Sequence, residues 1–385
     1  MRVLVLDTIH GGADLAAALR DAGHETDEVD VYRGKTGIPT SEALVRTYDL
    51  VTAPVHLDPD HPILRKHGPA VPHHEMVRRI LGGRLPHPFI EITGARGKTT
   101  TAHAIAALLP GPGILHTSTG TYRYPERELL WRKSITPASL IPAVREAERI
   151  GGWLVAEESL GVTAAGDVAV LTSAEDYPIA AGKKRAITEK CRLLSRAQTV
   201  VLPPGIDLPG GIAAGDIVSF EEETCRYSGN GVTGTFTNPL CTLPGYQTPL
   251  ALAAATACIL GIHPSPLGGF SALPGRMAAR WEGEVLVLDN ANSGTNMATT
   301  VEAVRYARNL SGNAPLTLVI GEEARAICEG FPAEEVRRTV EAVAPAATVY
   351  VGEGHAAATL EEGLAAARSI TPAGAAIVLA VKTWR

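Results

Sequence analysis

Apolar residues in this chain fall into short blocks, each closed by glycine, proline or a polar residue and separated by segments with helical spacing. Val3 to Asp7 reads as a buried strand and His10-Gly11-Gly12 as a turn. Ala13 to Ala22 predicts a helix with Leu15 and Leu19 on one face, ended by Gly23. Glu28 to Tyr32 and Leu50 to Ala53, the latter closed by Pro54, are the next strands. Strand, helix, strand in this order implies a parallel sheet. This unit runs over residues 1–85, where Gly82-Gly83-Arg84-Leu85-Pro86-His87-Pro88 reads as a linker.

A second α/β unit, residues 86–265, opens with a strand at Phe89 to Thr93. It continues with buried strands at Trp153 to Ala156, Val168 to Leu171 and Thr199 to Leu202, and an Ala-rich helix from Pro249 to Leu260 closes it. The stretch from Gly261 to Gly275 is again rich in breakers. A third unit, residues 266–385, carries strands at Val285 to Leu288, Leu316 to Ile320, Thr348 to Val351 and Ala375 to Val381, with helical stretches between them.

Composition narrows the class. Hydrophobic residues make up 45% and charged residues 20% of the 385, enough for real cores. Aromatics are only 5% while glycine is abundant, which suits close helix–sheet packing better than a β-sandwich. A net charge of −6 argues against a nucleic-acid partner, because such proteins present a basic face to phosphates. The five cysteines (Cys191, Cys225, Cys241, Cys258 and Cys328) form no C-x-x-C pair, so a reducing compartment is expected rather than a disulfide framework or a zinc ribbon. With no signal peptide and no long apolar segment, the expectation is a soluble cytoplasmic protein, a monomer or small homo-oligomer that engages no membrane.

Ile92-Thr93-Gly94-Ala95-Arg96-Gly97-Lys98-Thr99-Thr100 lies between a strand and a helix. This is the placement a phosphate loop needs. Glycines let backbone N–H groups turn toward an anion, and the helix start adds its positive end. Lys98 can reach the outer phosphates of ATP, and the Thr99 hydroxyl can meet Mg2+. Ile92 stands at the first glycine position of G-x-x-x-x-G-K-[ST], leaving the shorter T-G-x-x-G-K-T-T form. His56-Leu57-Asp58-Pro59-Asp60-His61 and His73-His74-Glu75 hold potential metal ligands, but without helical pairing they read as solvated loops rather than a zinc site.

The shorter loop resembles that of the Mur ligase family, ATP-dependent enzymes of peptidoglycan assembly, and the similarity runs in family order along nearly the whole chain. The resemblance implies a three-domain α/β architecture: an N-terminal Rossmann-like domain, a central P-loop ATPase domain, and a C-terminal Rossmann-like domain that closes on the nucleotide. It implies that Gly94, Ala95, Arg96, Gly97, Lys98, Thr99 and Thr100 cradle ATP. Leu154-Val155-Ala156-Glu157-Glu158-Ser159 is similar to the family's strand ending in E-x-S, so Glu157, with Glu158 as fallback, is expected to hold Mg2+ with Thr99. Lys190 lies near the family's carbamylated lysine, while Lys183 and Lys184 are alternatives for binding substrate carboxylates. Leu273-Pro274-Gly275-Arg276-Met277 resembles the P-G-R element whose arginine contacts the nucleotide. Asp289-Asn290-Ala291-Asn292-Ser293-Gly294-Thr295-Asn296 resembles the loop that closes on ribose and phosphates, with Asp289 and Asn292 on the nucleotide.

Departures from the pattern point to a specialised branch. Tyr177 stands where a metal-binding His is usual, and Pro244-Gly245-Tyr246-Gln247 replaces the adenine motif, leaving Gln247 for that role. No amino-acid-binding signature appears late in the chain. The D-N-A-N-S-G-T-N loop and the T-G-A-R-G-K-T-T form look like the coenzyme F430 synthases, Mur-like enzymes that close a carbocyclic ring on a nickel tetrapyrrole. That resemblance implies ATP activation of a propionate carboxylate followed by attack of carbon. It makes His10, Gly11, Asn290 and Asn296 candidate substrate contacts. The alternatives are an amide-forming ligase and a P-loop ATP switch acting on a partner.

Overall fold

Most strands lie on apolar runs, but the strand read at Glu28 to Tyr32 spans Glu25–Val29 instead, a largely polar segment at a sheet edge. A computed structural model of the chain describes residues 1–83, 85–323 and 330–383; Arg84 of the linker and Cys328 lie outside the described residues. Packing divides it into two units, Met1–Phe270 and Ser271–Arg385.

In the first unit, a four-stranded sheet runs in the order Glu25–Val29, Arg2–Leu6, Leu50–Ala53, Val71–Pro72, all parallel. An eight-stranded sheet follows in the order Gly211–Ala213, Val200–Leu202, Val168–Leu171, Phe89–Thr93, Trp153–Glu157, Gly113–Thr117, Gly120–Tyr124, Glu128–Trp131. Its first six strands are parallel and its last two form an antiparallel edge. Phe89–Thr93, the earliest of these strands in sequence, lies mid-sheet, with later strands on both sides. Such a point, where the winding reverses, opens a crevice at the carboxyl ends of the strands.

The two sheets share one apolar core. Val3, Val5, Leu15 and Leu19 of the N-terminal part pack with Met76, Val77, Phe89, Ile114, Ile141 and Leu154. Leu154 is fully buried on a central strand. Leu154→Ala is expected to destabilise by about 2–5 kcal/mol, read as a lower urea midpoint at unchanged slope.

Several elements carry little apolar signal. Gly113–Thr117 is buried at every position, yet glycine, histidine and threonine make up most of it. Val218–Glu221, Thr224–Gly229 and Val232–Thr237 form an antiparallel sheet in which mainly Cys225, Tyr227, Val232 and Phe236 turn inward. The Ala-rich helix spans Pro244–Ile259, so Pro249, read from sequence as its start, lies inside it. Proline's fixed φ is helical, and its presence costs one backbone donor.

The second unit is a five-stranded sheet in the order Ala278–Glu282, Val285–Asp289, Ala376–Lys382, Leu316–Glu322, Ala347–Val351; its first strand is antiparallel and the rest are parallel. Ala376–Lys382 is buried throughout, the expected consequence of a near-continuous apolar run covered on both faces.

Candidate functional site

The Phe89–Thr93 strand ends at Gly94, and Gly97 caps the Lys98–Ala106 helix in the left-handed region at φ 81°. Gly94 has φ 151°, and a Cβ there would lie 2.1 Å from Thr172 Oγ1. Only glycine permits this approach of the loop to the neighbouring strand end. Thr172 Oγ1 donates to the carbonyls of Thr93 and Arg96. Ser173 Oγ accepts from the amides of Ala95 at 2.9 Å and Arg96 at 3.2 Å. Loop amides thus converge on one hydroxyl oxygen, as they would on a phosphate oxygen. The Arg96 side chain turns to Glu175 at 2.7 Å.

Lys98, Thr99 and Glu157 meet beneath the loop. Lys98 Nζ donates to Gly94 O at 3.1 Å and lies 3.7 Å from Glu157 Oε1. Thr99 Oγ1 donates to Glu157 Oε2 at 2.9 Å and stands 3.2 Å from Ser118 Oγ, while the Ser118 amide donates to Glu157 at 3.1 Å. Thr100 is buried on the helix behind them. Glu158 turns elsewhere. Burial, and then the neighbouring Glu91 carboxylate, hold its carboxyl well above the usual carboxylate range, and it accepts from the Thr163 amide. Glu157, not Glu158, therefore faces the loop. Ser118 and Ser173 were not read from sequence as part of this constellation.

Lys190, on the Ala186–Leu194 helix, is fully buried. Its Nζ has no hydrogen-bond partner among the described residues and stands 4.9 Å over the Tyr177 ring. Burial, and then the charge of Lys98, pull its pKa down to about 8. A buried amine without a hydrogen bond costs stability. In CO2-free buffer at pH 7, Lys190→Met is expected to raise Tm by roughly 2–4 °C for each kcal/mol relieved. The sign with pH follows from linkage. Between about pH 8 and the unfolded value of 10.5 the unfolded chain binds more protons, so the wild type gains stability as pH rises and the variant's advantage shrinks. A constant difference in melting temperature from pH 7 to 10 would contradict this.

Lys183 is paired with Asp58 at 2.6 Å and with Asp60. Lys184 donates to Val55 O at 3.3 Å and, with Arg192, Val55, Leu57 and Leu64, lines a cleft of about 320 Å³. Gln247 is exposed near the start of the Pro244–Ile259 helix, whose Pro249 lies beside Gly97.

In the second unit, Gly275 and the loop after Val285–Asp289 are laced together. Asp289 Oδ2 accepts from the Gly275 amide at 3.2 Å, and Asn292 Nδ2 donates to Gly275 O at 2.7 Å. Half-buried Arg276 follows directly in the turn. Asn290 Nδ2 donates to Thr299 O at 3.1 Å. Asn296 caps the Met297–Ser311 helix in a capping box with Thr299.

His10 and Gly11 follow the Arg2–Leu6 strand. His10 Nδ1 lies 2.9 Å from Asp7 Oδ2, and Gly11 (φ 88°) abuts Thr136, where an added Cβ would meet Oγ1 at 2.4 Å. The reading of His73-His74-Glu75 as a solvated loop is corrected. These residues begin the His73–Leu81 helix, and both imidazoles are buried; burial pushes them down to about 4 and about 3, so they are neutral. His74 Nε2 lies 3.0 Å from Ser159 O, beside the Glu157 strand.

The family description "Coenzyme F430 synthetase CfbE, C-terminal domain" matches residues 279–383. The chain is 30% identical over 474 residues to a coenzyme F(430) synthetase of Methanosarcina acetivorans, covering 100% of this chain and 99% of that protein. Among solved structures, MurF from Acinetobacter baumannii aligns with TM-score 0.55 and 13% identity over 96% of this chain and 95% of its own. The UDP-N-acetylmuramate-alanine ligase MurC of Thermotoga maritima aligns with TM-score 0.51 and 15% identity over 99% and 95%. The fold is that of the three-domain Mur ligases, and the end-to-end identity places the chain in the coenzyme F430 synthetase family.

Proposed function

We propose that this protein is an ATP-dependent ligase that phosphorylates a propionate carboxylate of a ring-open nickel tetrapyrrole and then closes a carbocyclic ring by intramolecular C–C bond formation, giving coenzyme F430. The observation that carries this reading is the meeting of Lys98, Thr99 and Glu157 beneath the Gly94–Thr100 loop, in a chain that aligns end to end with a coenzyme F(430) synthetase.

A carboxylate is a poor electrophile. Transfer of the terminal phosphoryl group of ATP makes an acyl phosphate and ADP. A carbon of the same molecule then attacks the acyl carbon; the C–C bond forms, the C–O bond to phosphate breaks, and the attacking carbon gives up its proton. The loop amides hold phosphate oxygens, and Lys98 supplies a positive charge to the group in transfer. Oxygen donors dominate beside the loop, the chemistry that Mg2+ prefers, and Thr99 and Glu157 would hold the ion. Held there, Mg2+ would supply positive charge to neutralise the outer phosphates. Lys190, buried and partly neutral near pH 8, suits reaction with CO2 to a carbamate, with loss of one proton. Lys184 and Arg192, which share Glu189 as a counter-ion, leave the cleft beside them one net positive charge for another carboxylate of a polyacidic macrocycle.

The test is ATP hydrolysis with the nickel precursor alone and with amines added. Turnover with the tetrapyrrole alone is expected. A strict requirement for an amine would replace ring closure with amide formation, and steady hydrolysis with neither would point to a switch.

A further inference from the structure

We propose that His10 is an axial ligand, through Nε2, to the nickel at the centre of the tetrapyrrole, with Asp7 as its positioning residue. The substrate's identity here rests on the function proposed above; the ligand geometry rests on the N-terminal sheet.

Asp7 ends the Arg2–Leu6 strand with no solvent exposure and with φ 82°, a left-handed conformation uncommon for a residue with a side chain. Its Oδ1 accepts from the amides of Ile9 at 2.8 Å and His10 at 3.1 Å. Its Oδ2 takes His10 Nδ1 at 2.9 Å. The carboxylate holds the Nδ1 proton and raises the pKa of the ring, so in the neutral imidazole it is Nε2 that keeps its lone pair for a metal, on a side chain still 47% exposed. Carboxylate, imidazole and metal in series is the arrangement that fixes a ligating histidine's tautomer and orientation.

The donor set tells which metal fits. Asp7, His10 and His56 offer donor atoms within 4.8 Å of one another. The carboxylate, however, is already engaged by the His10 ring and two amides, which leaves two imidazoles. A bare zinc-like ion in a protein takes three or four protein ligands. His10 and His56 stand edge to face with centroids 5.0 Å apart, too close to bracket a macrocycle, so one imidazole is presented, which suits a metal whose equatorial positions are already filled, as a proximal histidine serves haem.

The surroundings suit the apolar face of a macrocycle as well. Tyr32 stacks on His56 with centroids 5.9 Å apart and meets His10 edge-on at 5.3 Å. Exposed Ile9 and Tyr32 extend the apolar surface beside the imidazole. All of this lies at the carboxyl edge of a parallel sheet, where open α/β sheets bind ligands. Gly11 packs on Thr136, and the preceding carbonyl of Ile135 accepts from Ser159 N, two residues beyond Glu157. The His10 loop is thus joined through packed backbone to the phosphate site.

The experiment uses the full chain with the ring-open nickel precursor and no ATP. Nickel X-ray absorption is recorded free, bound, and bound to His10→Ala, and the same preparations are assayed for ring closure with Mg2+ and ATP. His10 sits on an exposed loop, so the variant is expected to fold, which its melting curve checks. Outer-shell scattering from an imidazole is expected with the wild type, lost in His10→Ala, and restored to that variant by free imidazole. Asp7→Asn is expected to weaken precursor binding by about 10–100-fold. Imidazole scattering that survives in His10→Ala overturns the assignment. Absence of imidazole scattering in wild type that still closes the ring overturns the ligation and leaves the ligase intact. Wild type that neither binds nor converts the precursor overturns both.

Discussion

Lys98→Ala is expected to lower ATP-dependent turnover by about 10²–10³-fold, the effect of removing one preorganised charge from a developing anion. Lys98 sits at the first turn of its helix, held by Gly94 O at 3.1 Å and within 3.7 Å of Glu157, so its amine is already in place before nucleotide arrives. Alanine keeps the helix and removes the charge. The loss should fall on kcat with substrate, because the phosphoryl group carries its greatest shared charge in transfer. Steady-state kinetics with the nickel precursor reads this directly; full activity in a folded variant would remove the phosphate-loop assignment.

Glu157→Gln is expected to cost about 10²-fold at low Mg2+ and to regain part of that as Mg2+ is raised. Glutamine keeps an acceptor for Thr99 and Ser118 while it removes the negative charge that attracts a divalent cation. Glu158→Gln is the matched comparison. Burial, and then Glu91, raise its carboxyl well above the usual carboxylate range, and it turns away from the loop, so an amide of the same shape should leave the Mg2+ dependence near wild type. Titration of activity against Mg2+ for the two variants separates them. Equal Mg2+ dependence in both would contradict the assignment of Glu157 to the metal.

The parts of the fold legible in sequence are those whose burial is written as apolar runs. Strands Leu50–Ala53, Phe89–Thr93, Val168–Leu171 and Ala376–Lys382 are covered on both faces, and their side chains say so. Gly113–Thr117 is equally buried, but Trp153 packs on Gly113 and His116 bonds Thr121, so polarity hides it. The strand–loop–helix placement of Gly94 to Thr100 was legible because glycine, lysine and threonine in one register mark a turn into a helix. Ser118 and Ser173 carry no spacing rule; only the ends of adjacent strands bring them to the loop. Asp7, His10 and His56 are joined in the same way. Strands Arg2–Leu6 and Leu50–Ala53 lie side by side and parallel, which delivers the residues after each to one edge. Asn296, read as a candidate substrate contact, places its Oδ1 on a helix cap, a local use that polar residues at helix starts commonly have.

The central claim is that the substrate's own carboxylate takes the phosphoryl group from ATP. The most direct measurement uses precursor labelled with 18O in the reacting propionate and follows the phosphate released as the ring closes. One 18O atom in each inorganic phosphate, with ADP as the other nucleotide product, is the predicted result. Unlabelled phosphate accompanying ring closure, or AMP in place of ADP, would contradict it.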